Sequence, residues 1–163
     1  MLYTFYIPVG LLSNRKEMQQ SVQDFLAQRQ RDLIILVHPV VQQLDDAFHI
    51  LATSNQWPTI SIGKSLSAEI ISGKVSGTPA VQAWLVEQVR GMNPGPVLFH
   101  GIDLLFEPSF KLNPLAIFQQ SSRFTPLVVF WPGTYSNQVL AYAVPEHHHY
   151  RTWRKPEASI MNL

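Results

Sequence analysis

The chain has no cysteine among its 163 residues, which excludes disulfide bonds and thiolate metal ligands. Long apolar runs are also missing, since none approaches the roughly 18 residues of a membrane-spanning helix. The first residues lack the charged segment and apolar stretch of a signal peptide. Together these absences predict a cytoplasmic protein.

Charge is scarce as well. Charged residues make up 14% of the chain and the formal net charge is +1, whereas charged residues reach about 25% in typical soluble domains. The strongly basic footprint of an autonomous nucleic-acid-binding domain is therefore excluded. A surface with so few charges indicates that a partner covers part of it. A high content of neutral glutamine and asparagine is another explanation for the small number of charges.

Apolar runs of strand length alternate with helical patterns along the chain. Hydrophobic residues make up 46% of the sequence, and the length fits one domain over 1–163. We expect an N-terminal extension and helix in 1–31, a core in 32–144 and a C-terminal tail in 145–163. Because the strands are apolar throughout, the sequence predicts an α/β domain with a mostly parallel sheet and right-handed crossovers.

Particular patterns predict the elements and their ends. One helix is predicted from Ser13 to Asp32, and a second along the stripe Leu44, Ala47, Phe48 and Leu51. Two further helices are predicted on either side of a break around Ser76-Gly77, and the second of them ends at Gly91. A short helix is predicted from Asn113, with Pro114 in its first turn. Strands are predicted at 32–38, 57–63, from Val97 to Gly101 or Asp103, at 125–133 ending in Pro132-Gly133, and at 138–144.

The segment "LVHPVVQQLDD" (36–46) contains no glycine, and its place in the chain makes this absence relevant to phosphate binding. It joins a buried strand to a helix, which is where phosphate-binding proteins carry a glycine-rich loop. Ligands of parallel sheets bind beyond the carboxyl ends of the strands. The positions at those ends are His38, Gly63, His100 to Asp103 and Trp131.

Four segments resemble the BrxF family, the small P-loop proteins of type 3 bacteriophage exclusion (BREX) defence systems. The similarity covers about 32–153, and its most specific parts are "DLLFEPSFKLNPL…SR" and "WPG…YA…P…H…Y". The four segments are "LIILVHPVVQQLDDAF", "VLFHGIDLLFEPSFKLNPLAIFQQSSRF", "LVVFWPG" and "LAYAVPEHHHYRTW". The resemblance implies a three-layer P-loop NTPase-like domain with a RecA/AAA-type core.

The resemblance also implies that the nucleotide site is degenerate. Leu44 stands at the phosphate-binding lysine, Asp45 at the Mg²⁺-binding hydroxyl, and His100 at the first acid of the second strand. Asp103 stands at the second acid, which is usually Glu in the family. The degenerate positions are His38, Pro39, Gln43, Leu44, Asp45, His100 and Asp103.

The residues of this loop also argue against phosphate binding on physical grounds. Val40 and Val41 are β-branched and resist the backbone angles of an amide nest. Asp45 and Asp46 are predicted in or near the first helical turn, where each would stabilise the helix by about 0.3–1 kcal/mol and repel a phosphate. Without the resemblance, the two aspartates are ordinary helix-start residues.

Histidines offer two further hypotheses. His38, His100 and Asp103 could form a metal site or an unusual nucleotide site if their strands were adjacent. In "EHHHY", His147 and His149 share one side of an extended segment and could bind a metal. Satisfied histidines at loop edges or a partner surface are the alternatives that we favour, so no metal is expected.

The segment "YRTWRK" combines basic and aromatic residues, which can grip phosphates and stack bases. A terminal segment packed along the core has the same composition. Arg123 could likewise face a phosphate, or instead cap carbonyls or pair with a carboxylate. Candidate contacts for nucleic acid or a partner are Arg123, His147, Tyr150, Arg151, Trp153, Arg154 and Lys155.

The expected function is that of a catalytically inactive P-loop ATPase-like subunit without a cofactor, serving as a scaffold or binding component of a prokaryotic anti-phage complex. Its expected partners are other subunits, including a larger ATPase, DNA or RNA through the complex, and further copies of itself. A nucleotide-dependent ATPase with an unusual site that uses ATP and Mg²⁺, and a nucleic-acid-binding subunit, are the alternatives. No pattern typical of a hydrolase triad is present.

Overall fold

The computed structural model describes residues 6–7, 15–28, 32–92 and 95–163. Helices and strands alternate over most of this part of the chain. The strands are β1 (Tyr6–Ile7), β2 (Leu33–His38), β3 (Thr59–Ser61), β4 (Val97–His100), β5 (Leu127–Ser136), β6 (Val139–Tyr142), β7 (Arg151–Arg154) and β8 (Ser159–Asn162); the helices are α1 (Arg15–Ala27), α2 (Val41–Asn55), α3 (Ile62–Ile71), α4 (Thr78–Arg90) and α5 (Pro114–Ser121), with 3₁₀ turns at Asp103–Phe106 and Pro108–Phe110.

A parallel sheet forms the centre of the molecule. Its strands lie in the order β1-β8-β2-β5-β4-β3, and each neighbouring pair is parallel. Ile35 of β2 is in register with Val129 of β5. The strands are apolar throughout because helices cover both faces of the sheet. The predicted α/β domain with a mostly parallel, helix-flanked sheet is confirmed.

Alternate residues of β2 belong to two different apolar clusters. Leu33, Ile35 and Val37 lie with α3, α4 and α5 on one face. Ile34 and Leu36 lie with α1 and α2 on the other. Burying each such side chain contributes about 1.5–3 kcal/mol. The unbroken apolar run therefore stabilises β2 between two helical layers.

Three predicted element ends agree with the structure. α3 and α4 are separated around Gly77, whose φ of 78° suits glycine. Gly91 is the C-terminal cap of α4. α5 begins at Pro114, and the Asn113 side chain accepts a hydrogen bond from the Ala116 N–H at 3.3 Å. The local capping chemistry is therefore sufficient to predict these ends.

The predicted ends of α1 and β3 were wrong. α1 ends at Ala27, before Asp32, and the Asp32 carbonyl accepts the Leu127 N–H at 2.7 Å beside the sheet. The start predicted at Ser13 lies outside the described residues. β3 covers only Thr59–Ser61, since α3 follows it directly at Ile62.

Among the described helices, none combines the length and hydrophobicity that crossing a bilayer requires.

β5 does not end at Pro132-Gly133, as the sequence predicted, but continues to Ser136. Pro132 is the last residue in register with β2, so its missing N–H falls where the strand leaves the central sheet. Beyond it β5 pairs antiparallel with β6. A Cβ at Gly133 would lie 1.9 Å from the Ala141 carbonyl oxygen, so only glycine permits this close approach.

The last residues of the chain supply two strands. β7 pairs antiparallel with β6, outside the central sheet. β8 is inserted between β1 and β2 and is parallel to both. Its Ile160 and Met161 side chains are 1% and 0% exposed. Residues 145–163, which the sequence presented as a tail of mixed character, thus contribute directly to the core.

Candidate functional site

The turn from β2 into α2 contains only uncharged loop residues. Val40 has extended backbone angles, φ −95° and ψ 113°, and its side chain caps nothing. The Val40 N–H donates to Nδ1 of His38 at 2.9 Å. No residue from His38 to Asp45 has a positive φ, so the alternating conformation of a phosphate nest is absent from this described segment. Val40 and Val41 are 52% and 54% exposed.

Leu44 points into the core. It is 3% exposed and packs in the apolar cluster between α2 and the sheet, with Leu36, Phe48 and Phe130. A lysine at this position would place its ammonium among apolar side chains. The residue that replaces the phosphate-binding lysine in the resemblance is therefore a packing residue.

Asp45 and Asp46 were predicted in or near the first turn of α2, and they lie just beyond it. The helix begins at Val41, and its first turn contains no acidic residue. The dipole stabilisation expected for the aspartates falls off beyond the first turn, so that argument was wrong. Asp46 instead accepts a hydrogen bond from Gln42 at 3.0 Å, while Asp45 is half-buried.

His100, at the end of β4, stacks on the ring of Phe48. The ring centroids are 3.8 Å apart and the planes meet at 21°. Burial lowers the pKa of His100, the negative charge of Asp45 partly opposes this effect, and His49 adds to it. The neutral imidazole therefore behaves largely as a flat packing group.

The lowered pKa of His100 predicts a loss of stability in acid. The folded state disfavours the charged imidazole, so the contribution is present above the ordinary pKa of 6.5 and is lost as the pH falls through the lower folded value. We expect the free energy of unfolding of the wild type to fall more between pH 7 and pH 5 than that of His100→Gln. Urea titrations across this range measure the difference.

The exposed His148 provides the matched control, because His148→Gln removes a histidine without touching the stack. Its pH profile should follow that of the wild type. Parallel profiles of the wild type and His100→Gln would contradict the assignment of acid sensitivity to His100.

Asp103 begins the first 3₁₀ turn and is bound by Tyr142 of β6. The Tyr142 hydroxyl donates to Asp103 Oδ1 at 2.7 Å. Burial, together with the hydrogen bond to Asp103 and its negative charge, raises the pKa of the Tyr142 hydroxyl. The Tyr142 ring stacks on Phe106 with centroids 3.5 Å apart. Asp103 therefore anchors the β6–β7 hairpin beside the end of β4.

The structure does not bring His38, His100 and Asp103 together as one ligand set. β5 lies between β2 and β4, so the strands are not adjacent as the metal hypothesis required. Each side chain has its own neighbour: Val40, Phe48 and Tyr142, respectively. Over the described residues, no group of three or more histidine, aspartate or glutamate side chains is arranged to hold a metal ion.

The basic and aromatic residues near the C-terminus divide into packed and exposed ones. The Trp153 indole N–H donates to Asn113 at 3.1 Å, and its ring contacts Trp131 with centroids 5.2 Å apart. Arg151 donates to the Leu112 carbonyl at 2.8 Å. Trp153 is thus a packing residue. The exposed candidates are Arg123, His147, Tyr150, Arg154 and Lys155.

Arg123 and His147 differ in their contacts. Within the described parts of the chain, Arg123 makes no ion pair with a carboxylate. His147 Nδ1 accepts the His149 N–H at 3.1 Å, and the two rings meet edge to face. These contacts close the turn before β7.

A groove that sequence reasoning missed lies between the 3₁₀ turns and residues 148–151. We call it the C-terminal groove; it encloses about 350 Å³. The cluster of charged and aromatic residues at 147–155 was the only feature of the sequence that indicated a binding site here. Its other wall is far away in sequence. The groove is lined by Phe106, Glu107, Lys111, His148, Tyr150 and Arg151, among others.

Comparisons of this chain with protein-family models, with curated proteins and with solved structures found no match.

Proposed function

We propose that this chain is a P-loop ATPase-like domain without ATPase activity, which serves as a scaffold or binding subunit of a cytoplasmic anti-phage complex in a prokaryote. The fold-level part rests on the resemblance to BrxF and on strand order. In a RecA/AAA-type core, one strand separates the loop strand from the strand that ends in the acid. β5 takes this place between β2 and β4, which supports the proposal.

The burial of Leu44 is the main support for the proposed absence of ATPase activity. At 3% exposure this side chain stabilises the contact of α2 with the sheet and faces away from any ligand at the turn. The turn itself has neither glycine nor a positive φ between His38 and Asp45. Without a cation and an amide nest, the β- and γ-phosphates lose their main sources of binding energy.

The second half of the site supports the same proposal. Mg²⁺ binding to nucleotides uses one or two carboxylates. Here the first acid position is His100, whose ring is stacked on Phe48. The second is Asp103, which accepts the Tyr142 hydroxyl. Both positions therefore stabilise packing between elements.

The scaffold role rests on the surface. Charged residues are few, 14% of the chain, and Val40 and Val41 expose an apolar pair at the carboxyl end of the sheet. An exposed apolar pair beside a neutral turn suits a protein contact better than a phosphate. The proposed partners are other subunits of the complex, including a larger ATPase, and further copies of this chain.

Calorimetric titration of the full chain with ATP and Mg²⁺ tests the loss of nucleotide chemistry. We expect no saturable heat up to about 1 mM ATP, the upper end of ordinary KM values, because lysine, nest and metal shell are all missing. Micromolar binding that Asp103→Ala weakens would overturn the proposal. Steady phosphate release that disappears in His100→Ala would favour the alternative ATPase.

Affinity purification from the native host tests the scaffold role separately. The expected result is stoichiometric recovery of defence subunits with the wild type, and reduced recovery with the double variant Val40→Ser, Val41→Ser. Both side chains are more than half exposed, so the change should leave the fold intact. Equal recovery with wild type and variant would remove the turn as the contact surface.

A further inference from the structure

The C-terminal groove has the size and position of a ligand site. Its volume of about 350 Å³ falls within the roughly 300–1,000 Å³ of small-molecule sites. The 3₁₀ turns that form one wall follow β4, and residues 148–151 of the other wall follow the hairpin of β5 and β6. The first wall therefore continues from the carboxyl end of a parallel strand, where such sheets bind ligands. The second wall follows β6, which is antiparallel to β5 and whose Tyr142 pairs with Gly133, just beyond the parallel part of β5.

Charges in the groove favour an anion. Lys111 stands on one wall and Arg151 on the other. Glu107 is the one acidic residue in the lining, and its carboxylate lies 3.8 Å from the His149 imidazole, so the two cations outnumber the carboxylate. Lys111 has a φ of 50°, and its N–H donates to the Pro108 carbonyl at 3.1 Å, so the backbone that carries the ammonium is anchored.

Arg151 is preorganised for a ligand. One guanidinium nitrogen donates to the Leu112 carbonyl at 2.8 Å, and the group lies 5.2 Å from the centre of the Trp153 ring. A guanidinium has five N–H donors, so others remain for an acceptor in the groove. Holding the cation in place lowers the entropy that a ligand must overcome.

Aromatic rings complete the groove. Phe106, 1% exposed, lies at its base, stacked on Tyr142. Tyr150, 38% exposed, lies at its edge. An exposed ring beside cations is the combination that proteins use for single-stranded nucleic acids, since every base has a face to stack while the cations bind the phosphates. An acidic peptide would use only the cations.

We infer that the C-terminal groove binds a nucleotide of single-stranded DNA or RNA, with the base against Tyr150 and the phosphate between Lys111 and Arg151. This site lies apart from the β2–α2 turn, and it does not depend on whether ATP binds there. The exposed Arg154 and Lys155 extend the positive charge beyond the groove. Trp153 is excluded as a stacking platform by its packing.

Fluorescence anisotropy of the full chain with labelled oligo-deoxythymidine at low salt tests the inference, and oligo-uridine extends it to RNA. We expect Tyr150→Ala to weaken binding about tenfold, as loss of one base–aromatic stack would, and Tyr150→Phe to retain it. Lys111→Asn should weaken binding and reduce the slope of log K against log salt by about 0.7, one phosphate contact on a single strand. Asparagine tolerates the positive φ at this position.

Lys74→Gln is the matched control, because Lys74 is exposed and lies outside the groove; it should bind as the wild type does. Absence of binding, or wild-type affinity in both Tyr150→Ala and Lys111→Asn, would overturn the inference. Equal competition by poly-glutamate would overturn it in favour of an acidic peptide, and equal binding of duplex DNA would overturn the single-strand assignment. Circular dichroism checks that each variant is folded.

Discussion

Leu44→Lys should destabilise the protein by about 3–5 kcal/mol, the range for an uncompensated buried charge. Leu44 is 3% exposed within an apolar cluster, so the ammonium would either enter that cluster or force α2 away from the sheet. The total stability of a domain is about 5–15 kcal/mol. The variant should therefore be close to unfolding, as urea denaturation followed by circular dichroism would show.

The same variant separates lost chemistry from lost packing. Leu44→Lys introduces the lysine that the resemblance to BrxF places at this position, but neither the glycines nor the metal ligands, so we expect no ATP binding by calorimetry. Leu44→Met is the matched control, because a swap of similar volume costs less than about 1.5 kcal/mol. A Leu44→Lys protein that kept wild-type stability and bound ATP would contradict both the packing role and the proposed inactivity.

Removal of β8 should abolish cooperative folding. A chain ending at Glu157 loses Ile160 and Met161, which are 1% and 0% exposed, and the hydrogen bonds that β8 makes with β1 and β2. Truncating each of these side chains alone costs about 2–5 kcal/mol, so the combined loss is comparable with the whole stability. Thermal unfolding should show no sharp transition.

Two point variants test the contribution of a single buried side chain of β8. Ile160→Ala should lower the free energy of unfolding by about 2–5 kcal/mol. Ile71→Ala removes the same atoms from a side chain that is 86% exposed and should change it by less than about 0.5 kcal/mol. A truncated chain with a native spectrum and a cooperative transition would show that β8 is dispensable.

Local patterns predicted many of the elements. β2, β4 and the first part of β5 are continuous apolar runs because both of their faces are covered. Gly77, Asn113 and Pro114 act through backbone angles and capping within a few residues. The errors in the start of α2 and the end of α1 have the same cause. The sequence has no strong capping residue at Val41 or after Ala27 that would mark these ends.

The candidate site was only partly predictable. The absence of lysine and glycine from residues 36–46 is visible in the sequence, but the partners of the remaining side chains are not. Tyr142 and Asp103 are 39 residues apart, and no spacing rule joins them. His100 meets Phe48 across two elements, although the helical stripe that contains Phe48 correctly predicted that its ring is buried.

The sequence by itself determined the α/β class, the apolar strands and the absence of lysine and glycine from residues 36–46, because hydrophobic periodicity and residue chemistry are local properties. Only the tertiary structure decided that β5 separates β2 from β4, that β8 completes the sheet, and that Lys111 and Arg151 line one groove. These contacts join residues distant along the chain. Periodicity specifies that a side chain is buried or exposed, whereas its neighbour is selected by the packing of the whole sheet and its helices.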